Sequence, residues 1–433
     1  MFHSFFPRPK LFILSFMAWC VVTMGLWYNG AKLWGGLIGL PPMEGAEEVG
    51  TVYYFFTPDM LWFYVYYVLA IIPFALFWFY FAPHRWQRWS ILGTSFILFT
   101  TAFSVQTSVA LNNWRGVFFD MVQQALTGDT KGTVPAADIF KGLFDFISIA
   151  FVYIGVLVVT RFIVSHYIFR WRTAMNEFYT ENWSKLRHVE GASQRVQEDT
   201  MRFAETVEDL GVSALDAVLT LIAFLPILYR LGAQVTSLPF VGEVPQPLVV
   251  AAIIWSVFGT ILLAVVGIKL PGLYFNNQKV EAAYRKELVY GEDDTQRARP
   301  PTLYQLYEGV RRNYFRLYFH YAYFNVARYF YLQTDSVIAV VLLVPTIAAG
   351  AITFGFFQQT LSAFNQVTNS FQYLVNSWGT IVELLSIHKR LKQFEMAIDG
   401  IPVPASGSQD LADMGTIAAS VESGKEEVKP LAE

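Results

Sequence analysis

The stretch PLVVAAIIWSVFGTILLAVVGI (247–268) carries no charged residue over 22 positions. As an α-helix it is about 33 Å long, enough to cross the roughly 30 Å hydrocarbon core of a bilayer. Working outward, seven further apolar runs lie at about 11–29, 58–82, 90–112, 141–169, 211–229, 314–332 and 336–356. Unpaired backbone polar groups are prohibitive in hydrocarbon, so each run is expected to be a helix. Composition agrees: the hydrophobic set makes up 54% of the 433 residues and charged residues only 15%, against about 25% in soluble domains. So few charges do not cover a soluble surface. The expected fold is an all-α polytopic membrane protein with eight transmembrane helices.

Lysine and arginine set the expected orientation, because they concentrate in cytoplasmic connections. With the N-terminus inside, the inner segments carry 23 of the 31 and the outer ones five. Even the short loop PHRWQRW (83–89) fits. Both termini are therefore expected in the cytoplasm, as an even span count requires. The N-terminal run resembles a signal peptide in hydropathy, but no clean small-residue cleavage site follows, and an uncleaved first span is expected.

The connections are unusual. Residues 170–210 and 269–312 are rich in Glu, Arg, Ala, Gln and Leu and read as helices extending into the cytoplasm, about 60 Å long if continuous. After Phe356 the residues Phe357, Leu361, Phe364, Val367, Phe371 and Leu374 alternate three- and four-residue steps, a seam that requires a partner helix. The chain thus divides into two extra N-terminal spans with a short cytoplasmic loop (1–89) and a six-helix core with extensions (90–398). A disordered acidic cytoplasmic tail (399–433) follows. Six spans with long extensions have the architecture of the membrane half of an ABC exporter.

Several function classes are excluded. A net charge of −3 offers no basic excess for nucleic acid. The single Cys20 forms no intrachain disulfide or cysteine-based zinc site. The phosphate-binding pattern GxxxxGK[ST] is absent, and the one Gly424–Lys425 pair lacks the earlier glycine, so no nucleotide site is expected. No nucleophile triad or metal-ligand spacing is visible, so neither enzyme chemistry nor a metal or organic cofactor is expected.

Polar stripes remain. At 100° per residue Glu198, Glu205 and Glu208 fall within an arc of about 80°, and Glu281 and Glu292 align within about 20°. A carboxylate in a partly dehydrated cavity binds and releases protons near neutral pH. A solvated helix face accounts for such glutamates equally well, and Glu198–Arg202 and Glu281–Arg285 are i,i+4 pairs that a plain helix uses. Glu208 and Glu292 have no such partner. Asn365, Asn369, Gln372, Asn376 and Glu383 share an arc of about 60°, an amide row suited to hydrogen-bonding a peptide backbone, or to a hydrated face or dimer seam. His320, with Arg316 and Arg328, lies inside a span, where ionisable groups face a cavity or snorkel to the interface. Asp145 and Asp216 lie near span ends, where the interface solvates them.

Four strings then stand out: SHYIFRWRTAMNEFY (165–179), LRHVEGASQRVQEDTMRFAETVE (186–208), GIKLPGLYFNNQKVEAAYRKELVYGEDD (267–294) and NYFRLYFHYAYFNVAR (313–328). Over residues 1–395 the chain resembles the SbmA/BacA family of bacterial inner-membrane peptide transporters, its rhizobial members most of all. The resemblance implies a homodimer with an ABC-exporter-like membrane fold and no nucleotide-binding domain. It implies proton-driven uptake of antimicrobial, bleomycin-like and nodule cysteine-rich peptides, with protons as the coupling ion. Carried over residue by residue, a proton-coupling ladder comprises Glu198, Glu208, Glu281 and Glu292, with Phe224 and Tyr290 in the cavity. Asn365, Asn369, Gln372, Asn376 and His320 complete the expected cavity lining. Membrane lipids are further expected partners, since loss of rhizobial members alters very-long-chain fatty acids. Glu205 stands where enterobacterial relatives have serine and is left out of the ladder; Phe119 stands where they have tyrosine, which removes a hydroxyl. Two rivals stay open: the membrane subunit of an ATP-driven transporter with a separate ATPase, and a non-transporting accessory protein of envelope very-long-chain fatty acid metabolism.

Overall fold

The structure, a computed structural model, describes residues 1–43, 49–127, 132–189, 192–235, 238–239, 242, 244–294 and 296–398. Among them every regular element is a helix, apart from one isolated bridge between Leu238 and Gly242. The α-helices are α1 (Pro9–Tyr28), α2 (Pro58–Phe81), α3 (Thr94–Leu126), α4 (Ala136–Glu181), α5 (Trp183–Leu186) and α6 (Ala192–Gln194). They continue with α7 (Thr200–Gly232), α8 (Pro247–Gly267), α9 (Leu270–Asp293), α10 (Pro300–Ala348), α11 (Phe354–Asn376) and α12 (Trp378–Ile398). Two short π turns, Arg88–Gly93 and Arg195–Asp199, lead into α3 and α7. Prolines open α1, α2 and α9, where a missing N–H costs nothing.

Among the described residues seven helical segments are long and apolar enough to cross a membrane: Pro9–Tyr28, Pro58–Phe81, Arg88–Leu126, Ala136–Glu181, Arg195–Gly232, Pro247–Tyr274 and Pro300–Ala348. The chain is therefore a multi-pass membrane protein. The runs expected as separate spans at 314–332 and 336–356 are not two helices. Residues 314–332 and 336–348 both fall on α10, which passes through 333–335 without a break, Gln333 there being exposed and Asp335 half-buried. Asp335 there accepts a hydrogen bond from Trp255 Nε1 at 2.6 Å.

The long extensions are also interrupted. Helix α4 ends at Glu181, where Asn182 turns its Nδ2 back to the Phe178 carbonyl, and only the single turn α5 follows before helix resumes at Ala192. Helix α9 stops at Asp293, and Pro300–Pro301 restart the chain as α10.

The chain falls into two compact units. One comprises Met1–Trp183, Ser193–Ile261 and Tyr331–Leu391; the other comprises Ser184–Ala192, Leu262–Phe330 and 392–398, and the tail expected at 399–433 lies outside the described residues. In the first, the seam read after Phe356 finds its partner helices within the same chain. Helix α11 packs chiefly on α3 and α7, and Phe364 and Val367 are fully buried in a core with Val109, Ala110, Phe224 and Ile227. The direction of α11 is fixed at its ends. Phe354 N–H donates to Gln123 Oε1 at 2.6 Å and Gly355 N–H to Asp120 Oδ1 at 2.7 Å, both at the C-terminal end of α3. Further along, the Tyr373 hydroxyl donates to the Leu210 carbonyl of α7 at 2.6 Å. Helices α11 and α12 therefore run antiparallel to α3 and α7. A Cβ at Gly355 would collide with the Gly116 carbonyl and lie 2.5 Å from Asp120 Oδ1. Gly355→Ala is expected to lower stability by about 1–3 kcal/mol, read from thermal unfolding in detergent.

The N-terminal segment is anchored by aromatic packing. Phe5 stacks on Trp171 at 5.8 Å, Phe6 meets the same indole edge-on at 5.3 Å, and Trp171 Nε1 donates to the Met1 carbonyl at 3.3 Å. In the second unit α9 and the first half of α10 pair through Leu270, Leu273 and Leu317. Asn313 Nδ2 donates to Asn277 Oδ1 at 3.1 Å across that pair.

Candidate functional site

The glutamates of α7 follow directly on the π turn Arg195–Asp199. Such an i→i+5 turn carries an extra residue and frequently marks a functional position. It advances less per residue than an α-helix, so the arc drawn at 100° per residue from Glu198 does not hold through it. The turn divides two neighbouring acids. Asp199 is buried and grips Arg390 of α12 through both oxygens, at 2.8 Å to Nη2 and 3.1 Å to Nε. Glu198 looks the other way. It pairs with Arg202 at 2.7 Å and borders a cavity of about 450 Å³ lined by Arg172, Ser193, Gln197 and Met201.

Glu208 lies ten residues beyond Glu198, nearly three helical turns, and is half-buried. Among the described residues it has no ion pair. Arg161 of α4 is the cation that acts on its charge, opposed by Asp209 and Glu205. This carboxylate is thus partly withdrawn from water without a bonded counter-ion. Glu205 is exposed.

On α9, in the second unit, Glu281 is half-buried and Glu292 exposed. The expected Glu281–Arg285 ion pair does not form among the described residues, whereas the Glu198–Arg202 pair does. Glu287 instead turns to the end of the helix, 3.7 Å from Arg297 Nη1 and accepting from the Ala298 N–H at 3.1 Å. Tyr290 is exposed and sits between two cations, with Arg297 5.2 Å and Lys286 5.5 Å from its ring centre.

The amide row divides by packing. Asn365, Asn369 and Asn376 are exposed, as is Glu383 on α12. Gln372 is buried, because α10 crosses the row at that level: its Nε2 donates to the Tyr331 hydroxyl and lies 3.4 Å from Asp335 Oδ1. Phe224 is fully buried in the apolar core. His320 is half-buried on α10, its Nδ1 2.8 Å from the Arg316 carbonyl and its ring 5.5 Å from that of Tyr323. Phe119 meets Phe354 edge-on at 5.4 Å, an apolar contact in place of a hydroxyl.

Sequence reasoning missed Asp335. It sits where α8, α10 and α11 meet, between Trp255, Tyr331 and Gln372, with the Trp255 and Tyr331 rings stacked at 5.3 Å. An acid inside a span is a functional signal in itself. Here the signal was lost because residues 333–335 read as a connection. Asp335→Ala is expected to cost about 1–3 kcal/mol by leaving the buried donors unpaired, whereas Asp335→Asn keeps an acceptor and most of the stability. Unfolding midpoints of the two variants check this.

A model of the SbmA/BacA-like family matches residues 83–399. The chain belongs to the SbmA/BacA family. It is accordingly a membrane protein of a transporter family. Among curated relatives, the chain is 22% identical over 330 residues to the inner membrane ABC transporter ATP-binding protein YddA of Escherichia coli, covering 73% of this chain and 59% of that protein. It is 23% identical over 337 residues to an uncharacterized ABC transporter ATP-binding protein of Synechocystis, covering 73% and 47%. It is 24% identical over 254 residues to the chloroplastic ABC transporter D family member 2 of Arabidopsis thaliana, covering 53% and 33%. The chain spans about half the length of the first two of these relatives.

Proposed function

We propose that this SbmA/BacA family member is a proton-coupled importer of diverse cationic peptides across the bacterial inner membrane, working as a homodimer by alternating access. The observation that carries the reading is Glu208: a half-buried carboxylate on a long spanning helix with no bonded cation. Such a group changes its protonation when its surroundings change from one aqueous side to the other. Glu198, Glu281 and Glu292 complete the proposed ladder. The exposed amides Asn365, Asn369 and Asn376, with Tyr290 and His320, supply unspecific hydrogen bonding and stacking. Selection then rests on charge and not on a shaped pocket.

In this reading α11 and α12 form an eighth crossing with one polar face, which keeps them below the hydropathy of an ordinary span. The ties at Asp120 and Gln123 on one end of α3 and at Asp199 at the start of α7 support it. Eight crossings in an ABC-exporter-like arrangement return both termini to the same side, and the lysine and arginine distribution places that side in the cytoplasm. The protein acts as a carrier and not an enzyme, with protons in place of a bound cofactor.

The relatives named as ATP-binding proteins favour a second reading, a membrane subunit served by a separate ATPase. Uptake of a labelled cationic peptide into ATP-free proteoliposomes, with and without an inward pH gradient, separates the two. Gradient-dependent accumulation is the expected result. Absence of flux in folded, correctly inserted protein, restored by ATP with a partner chain, overturns it.

A further inference from the structure

The bonds around Asp335 lie deep in the membrane. Asp335 is thirteen residues before the end of α10 at Ala348, about 20 Å at 1.5 Å per residue. Its partner Trp255 is eight residues into α8, about 12 Å from Pro247. Both depths fall well inside a hydrocarbon core roughly 30 Å thick. Close packing fixes the site: a Cβ at Gly259 would collide with the Tyr331 ring, so glycine lets α8 come this near α10. Trp255 Nε1 at 2.6 Å and Gln372 Nε2 at 3.4 Å both address Oδ1. Among the described residues Oδ2 takes no bond and no ion pair reaches the carboxylate.

The groups that face Asp335 from α8 and α11 are Trp255 and Gln372, neither of which titrates. On its own helix the titratable neighbour is Tyr331, one turn earlier, whose hydroxyl oxygen accepts from Gln372. Hydrocarbon disfavours a carboxylate charge with no cation beside it, and the unoccupied oxygen is where a proton bonds. Asp199 makes the contrast: both of its oxygens are bonded to Arg390, as a purely structural acid requires. Glu208 lies 24 residues before the end of α7 at Gly232, about 36 Å from it. A proton bound for Glu208 from the outer side therefore crosses the whole hydrocarbon thickness, and Asp335 divides that path. Helix α11 joins the two places. Gln372 faces Asp335, and the next residue, Tyr373, donates to the Leu210 carbonyl, two residues from Glu208.

We propose that Asp335 is an intramembrane proton-binding site, taking a proton on Oδ2 from the outer side and passing it toward Glu208. The inference rests on the proton-coupled reading and adds to it a residue outside the glutamate ladder. The step balances. One proton leaves the outer water and forms the Oδ2–H bond, which breaks as the proton moves on to the Glu208 carboxylate. Oδ1 keeps the Trp255 bond in both states, so protonation strands no donor.

The test is uptake of a labelled cationic peptide into ATP-free proteoliposomes under an inward pH gradient, beside peptide binding without a gradient. Asp335→Asn keeps an acceptor for Trp255. It is expected to bind peptide as wild type does and to lose gradient-driven accumulation by about tenfold or more. Asp335→Glu restores a titrating group and is expected to recover most of that loss. Dicyclohexylcarbodiimide, which dissolves in hydrocarbon and adds to protonated carboxyls, gives a readout that needs no variant. Its labelling of Asp335 in the folded wild-type protein, mapped by mass spectrometry, is expected to fall as pH rises. Accumulation by wild type and Asp335→Asn alike overturns the proposal and leaves the coupling reading standing. Absence of label at Asp335 at every pH, or lost peptide binding in folded Asp335→Asn, does the same. No gradient-dependent accumulation by wild type overturns the coupling reading and this proposal with it.

Discussion

Arg390→Ala is expected to lower the stability of the folded chain by about 3 kcal/mol, the lower end of what removing one partner of a buried ion pair costs. Asp199 keeps 5% of its side chain exposed, and both its oxygens are bonded to Arg390. Removing the guanidinium leaves that carboxylate in place with neither bond. Arg390 itself is 45% exposed, so water enters part of the vacated space and holds the loss toward the lower end. The consequence extends beyond one contact, because the pair ties α12 to the π turn that opens α7 and carries Glu198. Thermal unfolding in detergent is the measurement. A double cycle with Asp199→Asn is expected to recover part of the loss, since the second change removes the stranded charge. An Arg390→Ala protein with an unchanged midpoint would show that the pair is incidental.

Glu208→Gln is expected to reduce gradient-driven peptide accumulation at least about tenfold, a change of about 1.4 kcal/mol or more in the coupled step. Glutamine keeps the shape and an acceptor but cannot take up or release a proton. The unfolding midpoint is expected to stay near wild type, because Glu208 makes no ion pair among the described residues. Glu198→Gln is expected to have a smaller effect on accumulation, since Arg202 at 2.7 Å already compensates the charge of Glu198. Full gradient-driven accumulation by Glu208→Gln would remove α7 from the coupling mechanism and shift attention to Glu281 and Glu292. Peptide binding measured without a gradient separates lost coupling from lost substrate affinity.

Helix period and residue type suffice to place the acids of α7 and α9 and the amide row on helix faces, whereas the ladder is what the family resemblance implies. The environments of these side chains were not legible. Nothing in the period distinguishes Gln372 from Asn369, yet Gln372 is buried against Tyr331 while Asn369 is exposed. Phe224 carries the sequence signature of any apolar span residue, and only packing places it in the core with Phe364. The two π turns have no composition that announces them, and they shift every angular reading made across them.

By itself the sequence determined that this is a multi-pass helical membrane protein of the SbmA/BacA family, because bilayer thickness and backbone satisfaction leave a long apolar run almost no alternative to a helix. Tertiary structure alone decided where two of those helices lie. Residues 314–348 form part of a single helix in which Asp335 finds partners on α8 and α11, a fact about neighbours and not about hydropathy. The helix after Phe354 joins the core beside α3 and α7 for the same reason. Hydropathy measures the cost of meeting lipid, and a helix whose polar face meets other groups does not incur that cost.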